Sequence, residues 1–276
     1  MPKRDDETVE IRRAFLPEEG EQWCSADYSQ QEYRLFVHYA AKANLHKANA
    51  AVQRYADDPR TDFHQWVADI TGLPRQPAKD ANFAKIYGAR EKKFAAMIGK
   101  SVAEATAIMM QYDREMPFAN LLFAMVNDLA KERGYIKLLD GARCRFDFVH
   151  VYRPTGGDHN NVSFDAWQAD CRKEEGERRI ADSNHPWFGK KLFPSRTHKA
   201  LNSLIQGSAA RQTKIAMRAC AQAGINPILQ VHDELCFSVA NRDAIAQISK
   251  LMCDAVPLVV PMQVDTKIGA SWGKSA

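Results

Sequence analysis

The stretch that decides the fold lies near the C-terminal end of the chain, at residues 228–239, and reads ILQVHDELCFSV. Two apolar runs flank the polar tripeptide His232-Asp233-Glu234. Short apolar runs separated by a polar turn are typical of a β-hairpin. The hairpin predicts an antiparallel sheet with two carboxylates at its tip. Because aspartate is common in turns for conformational reasons alone, the segment by itself also fits an ordinary turn.

A second carboxylate of interest lies near the other end of the chain, in the stretch ADYSQQEYR at residues 26–34. The apolar run from Trp23 predicts a strand ending at Asp27, and apolar residues at helical spacing predict a helix from Gln30 to about Ala43. Asp27 is therefore expected between a strand and a helix. An aspartate there can cap the helix, and it can also serve chemistry at the end of a strand.

The third pattern is a set of four residues spaced four apart: Arg75, Lys79, Phe83 and Tyr87. On a helix this spacing forms one slowly drifting stripe, and Gly88 is expected to end the helix. The stripe is cationic in its first half and aromatic in its second, which suits a phosphate chain beside a stacked base or sugar. The alternative is an amphipathic helix whose basic residues face water and whose aromatic residues face a core.

The rest of the chain predicts an α+β fold with a mostly antiparallel sheet. Helical spacing predicts helices at residues 62–70, 102–112, 118–133 and 197–223, and Asn241 is expected to cap a last helix ending near residue 255. Further strands are predicted at residues 135–139, before a turn at Asp140-Gly141, and at 258–267. Residues 146–195 are interpreted as an irregular insert with at most a short helix.

Composition limits the class of protein but does not identify its function. The 276 residues, 45% of them apolar, can form one large domain or two modest ones. The sequence has no apolar run of ~20 residues for a membrane span and no apolar stretch at the N-terminus for a secretory signal. Its six cysteines form no CxxC pair, so reduced thiols in a cytoplasm are expected. The net charge of +4 tolerates a polyanionic partner without demanding one.

Taken together and in order, the three patterns resemble motifs A, B and C of family A DNA polymerases. The family's DYSQxELR is matched by Asp27, Tyr28, Ser29, Gln30, Glu32 and Arg34, with Tyr33 in place of the usual leucine. Its RxxxKxxNFxxxYG is matched by Arg75, Lys79, Asn82, Phe83, Tyr87 and Gly88. Its QVHDE is matched by residues 230–234. Residues 202–207 resemble the family's NxxxQG helix, and Trp272 matches a C-terminal tryptophan. The resemblance covers nearly the whole chain and is weakest from 146 to 195.

The resemblance implies a right-hand polymerase architecture that lacks thumb and exonuclease domains. The antiparallel-sheet palm would comprise residues 1–44, with motif A, and 196–276, with motif C and the last strand. A mostly helical fingers subdomain would be inserted at 45–195. Within the fingers are expected the motif B helix at 75–88, a hairpin at 134–145 and the insert at 146–195.

The resemblance also implies a reaction, template-directed DNA synthesis by nucleotidyl transfer of dNTPs to a primer 3′-hydroxyl. Two Mg²⁺ ions would be held by Asp27 and Asp233, with Lys79 and Glu234 as further catalytic residues. The expected dNTP-binding residues are Tyr28, Gln30, Glu32 (the steric gate against a 2′-hydroxyl), Arg75, Lys79, Phe83 and Tyr87. The expected contacts to primer-template DNA come from Asn202, Gln206, His232 and Arg143.

Several alternatives stay open at this point. Family members carry a thumb ahead of motif A, so we expect a second polypeptide to supply the thumb and upstream palm of a split, phage-type polymerase; a truncated or decayed copy is the alternative. A non-catalytic DNA-binding or assembly subunit on a polymerase fold is a different class of function. A single-subunit RNA polymerase shares related motifs. A zinc site in the insert would use Cys144, His150, His159, Cys171 and His185, although their spacing matches no common zinc pattern.

Overall fold

The computed structural model of the protein describes most of the chain. The described residues are 6–86, 88–146, 148–151, 162–163, 171–174, 177–180, 183–184, 188, 192–194 and 196–274. The helices are α1 (Asp6–Arg13), α2 (Gln31–Lys42), α3 (Ala48–Asp57), α4 (Phe63–Thr71), α5 (Arg75–Ile86), α6 (Glu91–Ile98), α7 (Val102–Glu115), α8 (Phe118–Arg133), α9 (Ala200–Gln222) and α10 (Arg242–Cys253). Short 3₁₀ helices span Thr197–Lys199 and Trp272–Lys274. Among the described residues, no helix is both long enough and apolar enough to cross a membrane.

The strands complete the mixed α and β composition that the sequence predicted. They are β1 (Gln22–Tyr28), β2 (Tyr135–Lys137), β3 (Arg143–Arg145), β4 (Phe148–Val151), β5 (Val162–Ser163), β6 (Cys171–Glu174), β7 (Glu177–Ile180), β8 (Leu192–Pro194), β9 (Leu229–Val231), β10 (Glu234–Val239) and β11 (Val264–Gly269). The largest sheet has the order β11-β1-β10-β9, and every neighbouring pair in it is antiparallel. The predicted antiparallel sheet is therefore confirmed.

One face of this sheet carries the main core of its unit. Strand side chains alternate between faces, so Cys24, Ala26 and Tyr28 of β1 share a buried face with Leu235 and Phe237 of β10. Helices α9 and α10 cover that face with a second set of side chains, Ala216, Cys220, Ile248 and Met252. The opposite face of β1 carries Trp23, Ser25 and Asp27. The alternation thus decides that Asp27 lies on the side of the sheet away from this core.

The chain divides into two compact units, one formed by residues 1–69 with 208–276 and the other by residues 70–207. The sequence placed its boundaries after residue 44 and after residue 195. Residues 45–69 join the first unit because α2 and its N-cap bind them: Arg34 donates through Nη2 to Pro59 O at 2.7 Å, and Gln30 Oε1 accepts from Phe63 N at 2.8 Å. The assignment of these units to a palm and fingers stays a prediction.

The second unit is built from α5 to α8, the short strands and the first part of α9, up to Gly207, whereas the rest of α9 belongs to the first unit. Helix α8 ends at Gly134, whose φ of 73° suits glycine, and the β2–β3 hairpin closes where Ala142 N donates to Asp140 Oδ1 at 3.1 Å. Both features were predicted. Residues 146–195 differ from the predicted irregular insert: where described, β4 pairs with β5 and β8, and β6 pairs with β7. Strands of two to four residues are too short to show a recognisable alternation in sequence.

The last strand also differs from its predicted bounds, since β11 begins at Val264 and not at Leu258. Pro261 lacks the backbone N–H that a strand ladder needs, which explains the later start. Elsewhere the predicted helix after Asn241 is confirmed, because Asn241 Oδ1 accepts from Ala244 N at 3.0 Å.

Gly88, which follows α5, should tolerate alanine much less well than Gly99 does. Both glycines have a φ of 66°, but a Cβ on Gly88 would lie 2.7 Å from Phe123 Cε2 of α8, whereas a Cβ on Gly99 meets nothing within 4 Å. Both substitutions carry the cost of a left-handed backbone, so their difference isolates the clash. We expect Gly88→Ala to lower the free energy of unfolding by about 1–3 kcal/mol more than Gly99→Ala.

Denaturant unfolding followed by circular dichroism measures this difference. Equal losses in the two variants would contradict the close packing of Gly88 on Phe123.

Candidate active site

Asp27 lies near the end of β1, in the middle of a row of paired strands. Its Cα partner on β10 is Glu234, and its Cα partner on β11 is Asp265. Asp27 is half-buried and its Oδ1 atom is buried. The capping alternative for Asp27 is wrong, because the N-cap of α2 is Gln30, in a left-handed conformation. The aspartate is thus part of the strand, with carboxylates on both neighbouring strands.

Asp233 lies in the turn that joins β9 to β10. Val231 pairs with Glu234, which leaves a two-residue turn of His232 and Asp233. His232 is exposed and has a φ of 56°, as tight hairpin turns of this length require of their loop residues. Because Glu234 is the cross-strand partner of Asp27, the turn brings Asp233 to the same end of the sheet as Asp27. The resemblance predicts this arrangement; the role of the two residues as metal ligands stays a prediction.

Glu234 has partners that the sequence did not indicate. Its Oε1 accepts from Trp272 Nε1 at 3.0 Å and from Cys236 Sγ at 3.5 Å. Burial, followed by the charge of Glu234, raises the pKa of the Cys236 thiol, so the thiol keeps the proton that it donates. The resemblance includes the C-terminal tryptophan but assigns it no role. Sequence spacing gives no signal for its contact with Glu234.

The donor set at this end of the sheet fits Mg²⁺, which prefers oxygen ligands. In the described part of the chain, no three His, Cys, Asp or Glu side chains converge into a metal-holding group. A site with two carboxylates and the remaining positions left to water and substrate phosphates is the usual arrangement for Mg²⁺. Asp27 and Asp233 are the two carboxylates that the sequence predicts for such a site. For the zinc alternative, His159 and His185 lie outside the described residues.

The other motif A residues mostly hold the backbone around Asp27. Arg34 is fully buried and donates to three carbonyls, those of Ser29, Pro59 and Pro261, while its guanidinium lies 4.6 Å from the Tyr55 ring centroid. Burial lowers the pKa of Arg34. Ser29 O follows the end of β1, so Arg34 ties this end of the strand to two loops.

Gln30 and Tyr28 also make structural contacts through their side chains. The Gln30 amide donates to Thr61 O at 3.2 Å and accepts from Phe63 N, so both ends of the amide bind backbone. Tyr28 donates its hydroxyl to Met252 O at 2.6 Å, and burial raises its pKa. Glu32, another residue of motif A that is predicted to bind the dNTP, is half-buried in the first turn of α2.

Tyr33, where the chain departs from motif A, is fully buried. Its ring stacks on Phe63, with centroids 5.0 Å apart, and meets His64 edge-on at 4.6 Å. The larger aromatic side chain in place of leucine is therefore accommodated by aromatic partners at the start of α4.

The predicted cationic and aromatic stripe lies on α5, in the second unit. Arg75 is exposed, and Lys79 and Phe83 are half-buried, while Ala81 on the opposite side of the helix is fully buried. The Phe83 side chain is therefore only partly buried, whereas the amphipathic alternative requires it to lie in a core. Tyr87 lies outside the described residues.

An ion pair between buried Lys85 and half-buried Asp113 joins α5 to α7, and the sequence did not indicate it. Lys85 Nζ lies 2.6 Å from Asp113 Oδ1 of α7 and 5.7 Å from the centroid of the Tyr112 ring. Lys85 is on the buried side of α5, where an unpaired charge would be costly. The pair therefore holds one side of α5 against α7, which sets the direction in which Arg75 and Lys79 face.

The remaining predicted DNA contacts also belong to the second unit. Asn202 is half-buried and Gln206 exposed on α9, one helical turn apart. A Cβ on Gly207 would lie 3.0 Å from the Leu138 side chain, so α9 passes close to the β2–β3 hairpin. Arg143 of β3 is exposed and stacks over Tyr135 at 4.7 Å. These residues and α5 lie in a different unit from Asp27 and Asp233, and their proximity to the carboxylates stays a prediction.

Comparison with known proteins identifies the family. The family model described as DNA polymerase family A matches residues 1–274. A DNA-directed DNA polymerase of Pseudomonas phage M6 is 34% identical over 100% of this chain and 42% of its own length. DNA polymerase I of Synechocystis sp. is 32% identical over 99% of this chain and 26% of its own length. The chain thus spans less than half the length of these relatives.

A solved structure agrees with these matches. The POL domain of Pol1 from M. smegmatis, in complex with DNA primer-template and dNTP, superposes with a TM-score of 0.70 at 27% identity, over 99% of this chain and 44% of that chain. The likeness extends from the sheet that carries the carboxylates through the helical unit. With the family match over nearly every residue, it leads to one conclusion: the chain belongs to DNA polymerase family A.

Proposed function

We propose that the chain catalyses template-directed addition of dNTPs to a primer 3′-hydroxyl. The observation that carries this proposal is the pair of aspartates at one end of an antiparallel sheet, Asp27 on β1 and Asp233 in the turn before β10, in a family A chain. A non-catalytic subunit on the same fold has no need of both carboxylates.

Asp27 and Asp233 would hold two Mg²⁺ ions. Such a pair lowers the pKa of an attacking hydroxyl and neutralises charge on the transferred and leaving phosphates. Glu234 adds fixed negative charge next to Asp27, which favours cations at this end of the sheet. Arg34 and Gln30 contribute by fixing the backbone after β1, and the Tyr28 backbone carbonyl is proposed as a further oxygen at the site.

The stripe on α5 would bind the incoming nucleotide. Arg75 and Lys79 would neutralise charge on the triphosphate, and Lys79 would donate a proton to the departing pyrophosphate. Phe83 would stack on the sugar and base, and Tyr87, four residues later in the sequence, would lie near the templating base. Glu32 acts as the gate that excludes a 2′-hydroxyl.

Four polar or basic side chains would contact the primer-template duplex: Asn202, Gln206, His232 and Arg143. Asn202 and Gln206 can bond minor-groove acceptors that all base pairs share, which checks geometry without reading sequence. His232 contacts the primer end, and Arg143 contacts a phosphate. The protein would accelerate the reaction by positioning the reactants and by electrostatic stabilisation, with little covalent chemistry of its own.

The test is primer extension by the purified chain with Mg²⁺, using templates that differ at one base beyond the primer. Addition of only the complementary dNTP supports the proposal. Metal-dependent dNTP binding without extension would point to a missing partner, and neither binding nor extension would favour the non-catalytic alternative.

The proposed partner is a second polypeptide that supplies a thumb and upstream palm. It is motivated by relatives more than twice as long as this chain. The mass of the native protein, taken from its source and detected with an antibody against this chain, tests the idea. A native polypeptide much longer than 276 residues would contradict a split polymerase.

Phe83→Tyr should raise the use of dideoxynucleotides relative to dNTPs. In this family a phenylalanine at this position accompanies discrimination against chain terminators, and the half-buried ring of Phe83 leaves room for a hydroxyl. The tyrosine hydroxyl can form a hydrogen bond in place of the one that a dideoxynucleotide loses with its 3′-hydroxyl. One such bond changes the incorporation efficiency by roughly tenfold. The ratio of incorporation efficiencies measures the effect, and an unchanged ratio would contradict the placement of Phe83 at the sugar.

A further inference from the structure

The carboxylate of Glu234 is drawn along its strand and away from the turn that carries Asp233. Its Oε1 accepts from Cys236, which lies two residues further along β10, and from the indole N–H of Trp272 at 3.0 Å. Both donors contact the same oxygen. Glu234 is therefore oriented by two contacts that belong to the sheet and the C-terminal segment, in the direction opposite to Asp233.

Trp272 is itself held on several sides. Its ring stacks on Trp23, with centroids 6.5 Å apart, and meets Phe15 edge-on at 5.6 Å. The Arg12 guanidinium lies 4.5 Å from its ring centroid, and its backbone N–H donates to Phe15 O at 3.1 Å. Because Trp272 is almost fully buried, its indole N–H is a fixed donor and not a passing contact.

Without that donor, Glu234 could turn towards Asp27. The two residues are direct cross-strand partners, and their side chains lie on the same face of the sheet. Such partners have Cβ atoms about 5 Å apart, so a glutamate can bring its carboxylate next to that of its neighbour. A third carboxylate would then complete a tighter cation site, at the expense of positions that substrate phosphates need.

We propose that Trp272 is a positioning residue that keeps Glu234 out of the coordination sphere of ions bound by Asp27 and Asp233. The inference rests on the proposed function of these two aspartates. Trp272 thereby keeps the cation site incomplete until a nucleotide arrives. The C-terminal tryptophan acts on the site only through Glu234 and touches neither ion nor substrate.

The test measures Mn²⁺ binding by electron paramagnetic resonance in the absence of DNA and nucleotide. Mn²⁺ suits the same oxygen ligands as Mg²⁺. Trp272→Phe keeps an aromatic ring but removes the N–H, and we expect it to tighten Mn²⁺ binding by roughly three- to tenfold through the added ligand. The double variant Trp272→Phe/Glu234→Gln should lose that gain. Trp23→Phe, a matched change on the ring that stacks on Trp272, should leave Mn²⁺ affinity unchanged.

Other outcomes overturn the proposal. Unchanged or weaker Mn²⁺ binding in folded Trp272→Phe contradicts it, as does a gain that persists in the double variant or appears equally in Trp23→Phe. Glu234→Gln alone provides a test that does not disturb the tryptophan: Mn²⁺ affinity should fall by less than about tenfold, because a nearby charge is lost but no ligand, and a larger loss would make Glu234 a ligand already. Asp233→Asn separates the two ideas, since undiminished Mn²⁺ binding in that variant contradicts the proposed metal site itself.

Discussion

Asparagine in place of Asp233 should lower the rate of primer extension by about a thousandfold or more. The substitution removes one charged ligand of the two proposed Mg²⁺ ions. These ions stabilise the transition state by several kcal/mol, and every 1.36 kcal/mol is a tenfold change in rate. Asparagine suits the same tight turn as aspartate. The loss should therefore appear in the chemical step without loss of the fold. Single-turnover extension of a labelled primer, with thermal unfolding in parallel, measures both.

The control for this prediction is Asp254→Asn. Asp254 is exposed at the end of α10, where it pairs with Lys250 at 2.6 Å, and its removal changes the net charge by the same amount. Since exposed pairs contribute little, extension should stay within about twofold of the unmodified chain. A loss of less than tenfold in Asp233→Asn, or equal losses in both variants, would contradict the assignment of Asp233 to the metal pair.

Alanine in place of Arg34 should lower the free energy of unfolding by roughly 3–5 kcal/mol. The buried guanidinium donates to the carbonyls of Ser29, Pro59 and Pro261, and hydrogen bonds to charged groups are worth about 1.5–3 kcal/mol each. The high cost of burying the cation offsets part of that gain. In a chain of this length, the melting temperature should fall by roughly 10 °C.

Two further variants separate the role of Arg34 from charge alone. Arg34→Lys keeps a cation but cannot form the planar fork that reaches three carbonyls, so it should recover less than half of the lost stability. Arg54→Ala removes an exposed arginine that stacks over Trp66 at 4.8 Å and should cost only about 0.5–1 kcal/mol. Denaturant unfolding measures the stability of both variants. A loss of stability in Arg34→Ala no larger than in Arg54→Ala would contradict the stabilising role of Arg34.

Local patterns were sufficient to predict most elements of the fold. The hairpin around Asp233, the strand of Asp27 and the helix capped by Asn241 each depend on neighbours within a few residues, and such signals are visible in sequence. The candidate carboxylates were named from the resemblance of the three ordered motifs to those of the family, because each pattern alone also fitted a helix cap or a turn. The short strands between residues 146 and 195 and the late start of β11 were missed because their patterns are brief or interrupted by proline.

The arrangement around the site could not be predicted, because its contacts join residues far apart in the chain. Trp272 contacts Glu234 across 38 positions, and Arg34 binds Pro261 across 227. No local periodicity encodes such pairs. The membership of residues 45–69 in the sheet-containing unit has the same origin, since it depends on bonds from α2 and Gln30 to a loop that the sequence had placed in another domain.

The sequence by itself therefore determined the type of most elements, the antiparallel hairpin and, through the resemblance of its three motifs, the candidate catalytic residues, since strand alternation, turn chemistry and motif spacing are local properties. The tertiary structure alone decided which neighbours those residues have. It placed Asp27 between two carboxylate-bearing strands, turned Glu234 towards Trp272 and buried Arg34 among three carbonyls, because packing and hydrogen bonding between distant segments set the orientation of each side chain.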